Sequence, residues 1–111
     1  MDLQKIYQTR TVSADEAVRK IQSGQRVFLT GNCSTPKEVL SALVRYAPSL
    51  KNVEICQALS VGAADYVGPE MEGHLRVNTM FISANIRSAV QAGRADFTPV
   101  LLSEFPLLFK N

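Results

Sequence analysis

Capped helices alternate with short apolar strands along this chain, and this alternation is the feature that most restricts its fold. Ser13 and Glu16 have the spacing of a capping box, and apolar residues at helical period follow them. Thr35 and Glu38 have the same spacing, with Pro36 at the first helical position. Helices that alternate with strands through short links usually form crossovers between parallel strands. The 111 residues therefore predict a single α/β domain with a mostly parallel open sheet and helices on both faces.

Hydrophobic periodicity and turn residues predict four strands and four helical segments. The predicted strands are Arg26–Thr30, Val53–Ala58, Arg76–Ile82 and Thr98–Leu102. The predicted helices run from Ser13 to about Ser23, from Thr35 to Pro48 and over Asn85–Ala92, with further helical turns over Ser103–Phe109. The segment Ser60–Leu75 has no sustained hydrophobic period, so it is predicted to be a functional loop with one helical turn over Ala63–Tyr66.

Composition and charge argue against several classes of partner. Twelve Lys and Arg against ten Asp and Glu leave a net charge of +2. The basic residues are scattered instead of forming a stripe, so no nucleic-acid partner is expected. No apolar run reaches the roughly 18–20 residues that span a bilayer, and no membrane association is expected. Met1–Arg10 has neither the apolar core nor the cleavage site of a signal peptide, so a cytoplasmic location is expected.

Residues that usually carry metal or covalent chemistry are few. Because the chain has only Cys33, Cys56 and His74 for such roles, neither a zinc site nor a disulfide framework is predicted. Cys33 lies just before a helix start, where a thiol can become a nucleophile, so a small enzyme built on Cys33 is one hypothesis. However, Val39 stands where a cysteine phosphatase would need an arginine. We expect an inert cysteine and a solvated His74.

The strand, loop and helix start over Val27–Pro36 form the strongest local signal of a binding site. Ligands of open α/β sheets lie beyond the carboxyl ends of the strands, where a helix N-terminus can meet an anion. Gly31 would let a ligand approach the backbone closely. The segment contains neither G-x-G-x-x-G nor G-x-x-x-x-G-K-[ST], which removes the main support for nucleotide cofactors. A plain turn followed by a helix cap is the alternative.

Two charged residues are predicted near the same edge of the sheet. Arg87 lies near a helix start and could hold a carboxylate or phosphate, with simple solvation as the alternative. Glu104 follows the last predicted strand, and we expect it to be a helix first-turn acid stabilised by the helix dipole.

An ordered set of residues runs through the whole chain. It comprises Ser13–Val18 with Ile21 and Gly24, Gly31 and Pro36, Leu50–Val53, Gly62 with Tyr66, and above all Arg87–Val100 running into Leu102–Phe109. This pattern resembles the amino-terminal domain of the acetyl-CoA hydrolase/transferase family, in which the 4-hydroxybutyrate CoA-transferases are the most similar members. The last stretch is specific, whereas the earlier ones would be weak alone.

The resemblance implies one half of a class I CoA-transferase-like two-domain fold. Such an enzyme would move coenzyme A, its substrate, between carboxylic acids by a ping-pong route in which a glutamate attacks the acyl-CoA. The glutamate and a glycine-rich CoA-binding segment would belong to a carboxyl-terminal catalytic domain that is absent from residues 1–111. No residue here matches them, so no catalytic residue is predicted, Glu104 is not given that role, and no metal is implied.

Together, the resemblance and the loops expected at the carboxyl edge predict one wall of an acyl or carboxylate pocket in a CoA-transferase or acyl-CoA hydrolase. The predicted substrate-binding residues are Gly31, Asn32, Thr35, Pro36, Ser60, Gly62, Asn85 and Arg87. The expected partners are acyl-CoA, a small carboxylate, and the missing domain or a partner chain. The apolar segment Phe105–Phe109 would be a contact surface, including one between copies in a homo-oligomer. The alternative function is a non-catalytic binding or assembly module that keeps the fold.

Overall fold

A computed structural model describes residues 1–110, in which short strands and helices follow one another along the chain. The strands are β1 (Arg26–Leu29), β2 (Val53–Gln57), β3 (Leu75–Thr79) and β4 (Ala95–Phe97). The α-helices are α1 (Leu3–Arg10), α2 (Ala14–Val18), α3 (Lys37–Tyr46) and α4 (Arg87–Gln91). Turns of 3-10 helix cover Asn32–Ser34, Ala47–Ser49, Asp65–Val67, Pro69–Met71 and Leu102–Phe109. The predicted α/β class is confirmed.

The four strands are parallel and lie side by side in chain order. Ile55 of β2 pairs with Val27 of β1 and with Val77 of β3. Val77 pairs in turn with Ala95 of β4, so a row of apolar residues crosses the whole sheet. Each connection therefore steps to the next strand in the same direction, and right-handed crossovers place all the connecting helices on one face.

The apolar core lies between that face and the helices. Every second strand residue points into it, and the strand members are Leu29, Val53, Ile55, Leu75, Val77 and Ala95. Helix α3 contributes Leu40 and Leu43 from the apolar stripe predicted for it, and Val18 of α2 and Ala89 of α4 complete the layer. Burial of apolar surface in this single layer is the main force that stabilises the domain.

The other face of the sheet carries two ion pairs. Arg26 of β1 forms an ion pair with Glu54 of β2. Arg76 Nε of β3 lies 2.5 Å from Asp96 Oδ2 of β4, and its hydrogen bonds lower the pKa of Asp96 below the ordinary value. Because both pairs are largely exposed, each contributes little to stability.

The last residues of the 3-10 helix Leu102–Phe109 lie over part of this face. Phe109 packs edge-on against Phe28 of β1, with ring centres 5.3 Å apart. Helical segments therefore lie on both faces, as predicted, but the crossover helices all occupy one of them.

The capping box predicted for Ser13 and Glu16 is confirmed at the start of α2. The Glu16 N–H donates to Ser13 Oγ at 3.2 Å, and the Ser13 N–H donates to Glu16 Oε2 at 3.1 Å. The helix ends earlier than predicted, because the amides of Lys20 and Ile21 donate three residues back and tighten the chain into a 3-10 turn. Helix α1 precedes it and was not predicted from the sequence.

The last strand begins earlier than predicted. The prediction of a strand over Thr98–Leu102 is wrong, because β4 begins at Ala95, two residues after Gly93, whose φ of +73° ends the helical turn before it. The Thr98 N–H still donates to Thr79 O at 2.9 Å. Pro99 has no N–H and cannot extend the ladder, so the pairing stops there.

Replacing Leu43 by Ala is expected to lower the free energy of unfolding by about 2–5 kcal/mol, because the change leaves a cavity under the sheet. Leu43 is 3% exposed, whereas Val39 on the same helix is 39% exposed. Val39→Ala is therefore the control and should cost less than about 1 kcal/mol. Urea unfolding followed by circular dichroism measures both values, and equal losses would contradict this placement of the core.

Candidate functional site

Three loops meet at the carboxyl edge of the sheet. Residues 31–36 follow β1, residues 58–63 follow β2, and residues 80–86 follow β3. The Asn32 N–H donates to the Leu59 carbonyl at 2.9 Å, which joins the first loop to the second. Parallel strands bring their carboxyl ends together, so short loops suffice for this contact.

Asn85 joins the third loop to the second. Its Nδ2 donates to Ser60 Oγ at 3.1 Å and to Gly62 O at 3.2 Å. Ser83 Oγ donates to Asn85 Oδ1 at 2.6 Å and holds the amide in place. The structure therefore brings together three of the predicted site residues, Ser60, Gly62 and Asn85.

Gly31 lies directly against the backbone of the second loop. A Cβ added to Gly31 would lie 2.2 Å from Leu59 O, so a larger residue could fit only if one of the two loops moved. The next residue, Asn32, has a φ of +52° and starts the 3-10 turn. Thr30 Oγ1 donates to Ser34 O at 2.7 Å and closes this turn from the other side.

Thr35 does not cap α3, so the predicted capping box with Glu38 is wrong. Because the loop winds into a 3-10 turn, the Thr35 hydroxyl faces Asn32 O and donates to it at 2.8 Å. The N-cap is Pro36, and no side chain in residues 1–110 caps the first turn of α3. The first-turn N–H groups, which carry the positive end of the helix dipole, have no side-chain acceptor.

A buried ring of hydrogen bonds supports the second loop. Tyr66 Oη lies 2.9 Å from Gln57 Oε1 and 2.8 Å from Ser60 Oγ. Gln57 Nε2 donates to Ser60 Oγ at 3.2 Å. All three side chains are buried, and each is hydrogen-bonded, as buried polar groups in folded proteins are. Burial raises the pKa of the Tyr66 hydroxyl above its ordinary value.

A cavity of about 240 Å³ opens between α3 and the second loop. Lys37 and Asp65 bring charge to its lining, and Val44 and Val61 bring apolar surface. Its further lining residues include Thr35, Leu40, Gly62 and Tyr66. The volume is below the roughly 300–1,000 Å³ of sites for drug-sized ligands, so it suits a small organic group.

The structure places Arg87 apart from this cavity. Arg87 is the first residue of α4, is exposed, and does not line the cavity. Helix α4 begins there and not at the predicted Asn85, because residues 84–86 form a turn in which the Ile86 N–H donates to Ser83 O at 3.3 Å. Pro36 is half-buried at the start of α3, beside the cavity residues Thr35 and Lys37.

The residues considered for other chemistry, Cys33, His74 and Glu104, do not line the cavity. Cys33 is exposed on the first loop, whereas His74 precedes β3 at the amino edge, with its Nδ1 2.6 Å from Leu50 O. Glu104 Oε2 accepts from the Leu101 N–H at 3.3 Å, as expected of a helix first-turn acid. Residues 1–110 contain no group of three or more His, Cys, Asp or Glu side chains arranged to hold a metal. They also contain no helix with the length and apolar character to cross a membrane.

Sequence reasoning missed the site roles of Lys37, Gln57 and Tyr66. The sequence predicts that Lys37 lies on the solvent-facing side of α3. Acidic residues are usual in the first helical turn, so a basic residue there could have indicated a role in the site. Gln57 and Tyr66 are nine residues apart across an irregular loop, so no periodicity joins them.

Gly31→Ala should lower the free energy of unfolding by more than Gly24→Ala does. Gly24 has a φ of +80° and nothing within 4 Å of an added Cβ, so its substitution costs only the ~1–2 kcal/mol of backbone strain. At Gly31 the added methyl group must push two loops apart. Urea unfolding compares the two variants, and a smaller loss for Gly31→Ala would contradict the close approach of the loops.

Tyr66→Phe should make stability less sensitive to alkaline pH. Burial disfavours the ionised Tyr66 hydroxyl and raises its pKa in the folded chain. The folded state therefore keeps its full stability below the tyrosine pKa of the unfolded chain and loses stability as the pH rises above that value. Between about pH 8.5 and pH 10.5, the free energy of unfolding should therefore fall less for Tyr66→Phe than for the wild type. Equal slopes for Tyr66→Phe and the wild type would contradict the prediction.

Comparison with known proteins bears on the whole chain. Residues 1–111 match the family described as acetyl-CoA hydrolase/transferase N-terminal domain. The 4-hydroxybutyrate coenzyme A transferase of Clostridium kluyveri is 34% identical over 111 residues, which are 100% of this chain and 26% of that protein. A succinyl-CoA:acetate/propanoyl-CoA:succinate CoA transferase of Fasciola hepatica is 37% identical over 101 residues, 89% of this chain and 21% of that protein. The chain thus spans about a quarter of the length of these relatives.

A solved structure shares the fold. RipA from Yersinia pestis has a TM-score of 0.86 at 20% identity, with 98% of this chain and 28% of that chain covered. The similarity concerns the fold alone, and it agrees with the α/β class predicted from the sequence. From the match over all 111 residues, we conclude that the chain belongs to the acetyl-CoA hydrolase/transferase family and corresponds to its amino-terminal domain.

Proposed function

We propose that this domain is part of an enzyme that transfers coenzyme A between carboxylic acids or hydrolyses acyl-CoA. The observation that carries the proposal is the family match over residues 1–111, and two relatives named as CoA transferases support it. Coenzyme A enters such a reaction as the thiol part of the substrate thioester. The acid named for one relative, 4-hydroxybutyrate, is the first acceptor to test.

In this proposal the three loops form one wall of the acyl or carboxylate pocket. The cavity between α3 and the second loop supports this role, because the first two loops line it and its volume suits a small acyl group. The third loop is bonded to that lining through Asn85. The Lys37 side chain brings a positive charge to the lining, which favours a carboxylate. Val44 and Val61 offer apolar surface to methylene groups. All the residues predicted to contact substrate stay predictions, namely Gly31, Asn32, Thr35, Pro36, Ser60, Gly62, Asn85 and Arg87.

The glutamate nucleophile belongs, in this proposal, to a second domain or to a partner chain. In the transfer, a carboxylate oxygen attacks the thioester carbonyl, the C–S bond breaks, and coenzyme A leaves as a thiolate. The part of this domain is to hold the acyl group in the geometry for attack. Formation of a homo-oligomer and a cytoplasmic location stay predictions.

The 111-residue chain should bind acyl-CoA or the free acid without turning it over. When the ¹⁵N-labelled chain is titrated with acetyl-CoA, and separately with acetate and 4-hydroxybutyrate, the amide signals of Lys37 and Gly62 should shift and saturate. Lys37→Met should weaken this binding about fivefold, because it removes the positive charge of the cavity. Lys20→Met makes the same change outside the cavity and should leave the affinity unchanged.

Two outcomes would contradict the proposal. Exchange of label between acetate and acetyl-CoA by this chain alone would show that the nucleophile is present in it. Equal affinities for Lys37→Met and Lys20→Met would show that the cavity beside α3 is not the binding site.

A non-catalytic assembly module is the second candidate. The observation that favours it is the exposure of apolar side chains on the 3-10 helix Leu102–Phe109, where Leu102 is 78% and Phe109 is 63% exposed. Apolar surface of this kind often marks a protein contact. Light scattering separates the candidates, because an assembly module should self-associate through this helix without binding acyl-CoA.

A further inference from the structure

The hydroxyl oxygen of Ser60 lies within hydrogen-bond distance of three side chains. Gln57 Nε2 is 3.2 Å away, Asn85 Nδ2 is 3.1 Å away, and Tyr66 Oη is 2.8 Å away. Because amide nitrogens only donate, Gln57 and Asn85 occupy both lone pairs of the Ser60 oxygen. The hydrogen of Ser60 then has Tyr66 as its acceptor.

The Tyr66 hydroxyl closes the ring. It accepts the hydrogen of Ser60 and donates its own hydrogen to Gln57 Oε1 at 2.9 Å, because no lone pair on Ser60 is left to receive it. Ser60 is 2% exposed and Tyr66 is 1% exposed. Ser60 therefore has neither a hydrogen nor a lone pair to offer a ligand.

We infer that Ser60 and Tyr66 are positioning residues of the proposed pocket, which hold the backbone of residues 61–63 beside Lys37. The inference rests on the proposed function for its ligand, a small carboxylate or acyl group. It gives Ser60 a role different from the substrate contact predicted from the sequence.

Short paths connect the ring to the cavity wall. Ser60 directly precedes Val61 and Gly62, both of which line the cavity. Asn85 bonds to Ser60 and also to the Gly62 carbonyl, so it ties the wall to the third loop. A Cβ added to Gly62 would lie 3.7 Å from Lys37 Cε, so the backbone of Gly62 is close to the Lys37 side chain. A shift of this wall therefore changes the surroundings of the only lysine among the lining residues described here.

Tyr66→Phe tests the inference in the full 111-residue chain, because it removes one oxygen and keeps the aromatic ring. The Ser60 hydrogen and Gln57 Oε1 lose their partner, so the amides of residues 61–63 should become more mobile in ¹⁵N relaxation. The affinity for acetyl-CoA or acetate should fall about tenfold, which corresponds to the usual free-energy cost of leaving one buried polar group without a partner. Tyr46→Phe removes the same atom outside the site and should change neither quantity.

Ser60→Ala separates positioning from direct contact. If Ser60 and Tyr66 act as one unit, then Ser60→Ala, Tyr66→Phe and the double variant should lose affinity by about the same factor. Ser60→Thr keeps the hydroxyl and should recover binding. A direct contact between Ser60 and the ligand would make the two losses multiply and leave residues 61–63 ordered in Ser60→Ala. If Ser60→Ala does not fold, Tyr66→Phe and its control decide.

The outcomes distinguish this inference from the proposed function. A wild-type chain that binds neither acetyl-CoA nor acetate contradicts the proposed function. In that case the ¹⁵N relaxation of residues 61–63 in Tyr66→Phe decides the inference. Increased mobility of these amides supports the inference, and unchanged mobility overturns it. A wild-type chain that binds, together with a Tyr66→Phe chain that binds equally tightly and keeps these amides ordered, overturns the inference alone.

Discussion

Four parallel strands laid side by side in chain order determine where the other parts of this domain can lie. Right-handed crossovers carry α3 and α4 to the same face, where α2 joins them to bury one apolar layer, while the other face keeps its ion pairs. Because the strands run in one direction, the loops after β1, β2 and β3 all begin at one edge. The candidate site lies at that edge for this reason.

Three polar side chains buried with the core, Gln57, Ser60 and Thr79, all have hydrogen-bond partners. Gln57, Ser60 and Thr79 are buried near the ends of β2 and β3, where each would cost about 1–3 kcal/mol if left unpaired. Gln57 and Ser60 are paired within the ring with Tyr66, and Thr79 Oγ1 donates to Phe81 O at 2.7 Å. These bonds also fix the backbone of the loops, so stability and site geometry depend on the same residues.

Features set by neighbouring residues could be predicted from the sequence, whereas those set by contacts between loops could not. The capping box of Ser13 and Glu16 is local, and the structure contains it. Thr35 has the same local signal, but its hydroxyl is taken by the preceding turn. Helix α1 buries none of its residues, so no apolar face marked it in the sequence. The ring of Gln57 and Tyr66 crosses an irregular loop and becomes visible only once the chain is folded.

Diffraction from crystals soaked with a short-chain carboxylate such as propionate tests most directly whether the three joined loops form a ligand-binding wall. We expect the carboxylate in the cavity between α3 and residues 61–65, with an oxygen near the Lys37 side chain and with Ser60 still in its ring. Density found only at other surfaces, or Ser60 turned out of the ring towards the ligand, would contradict this arrangement.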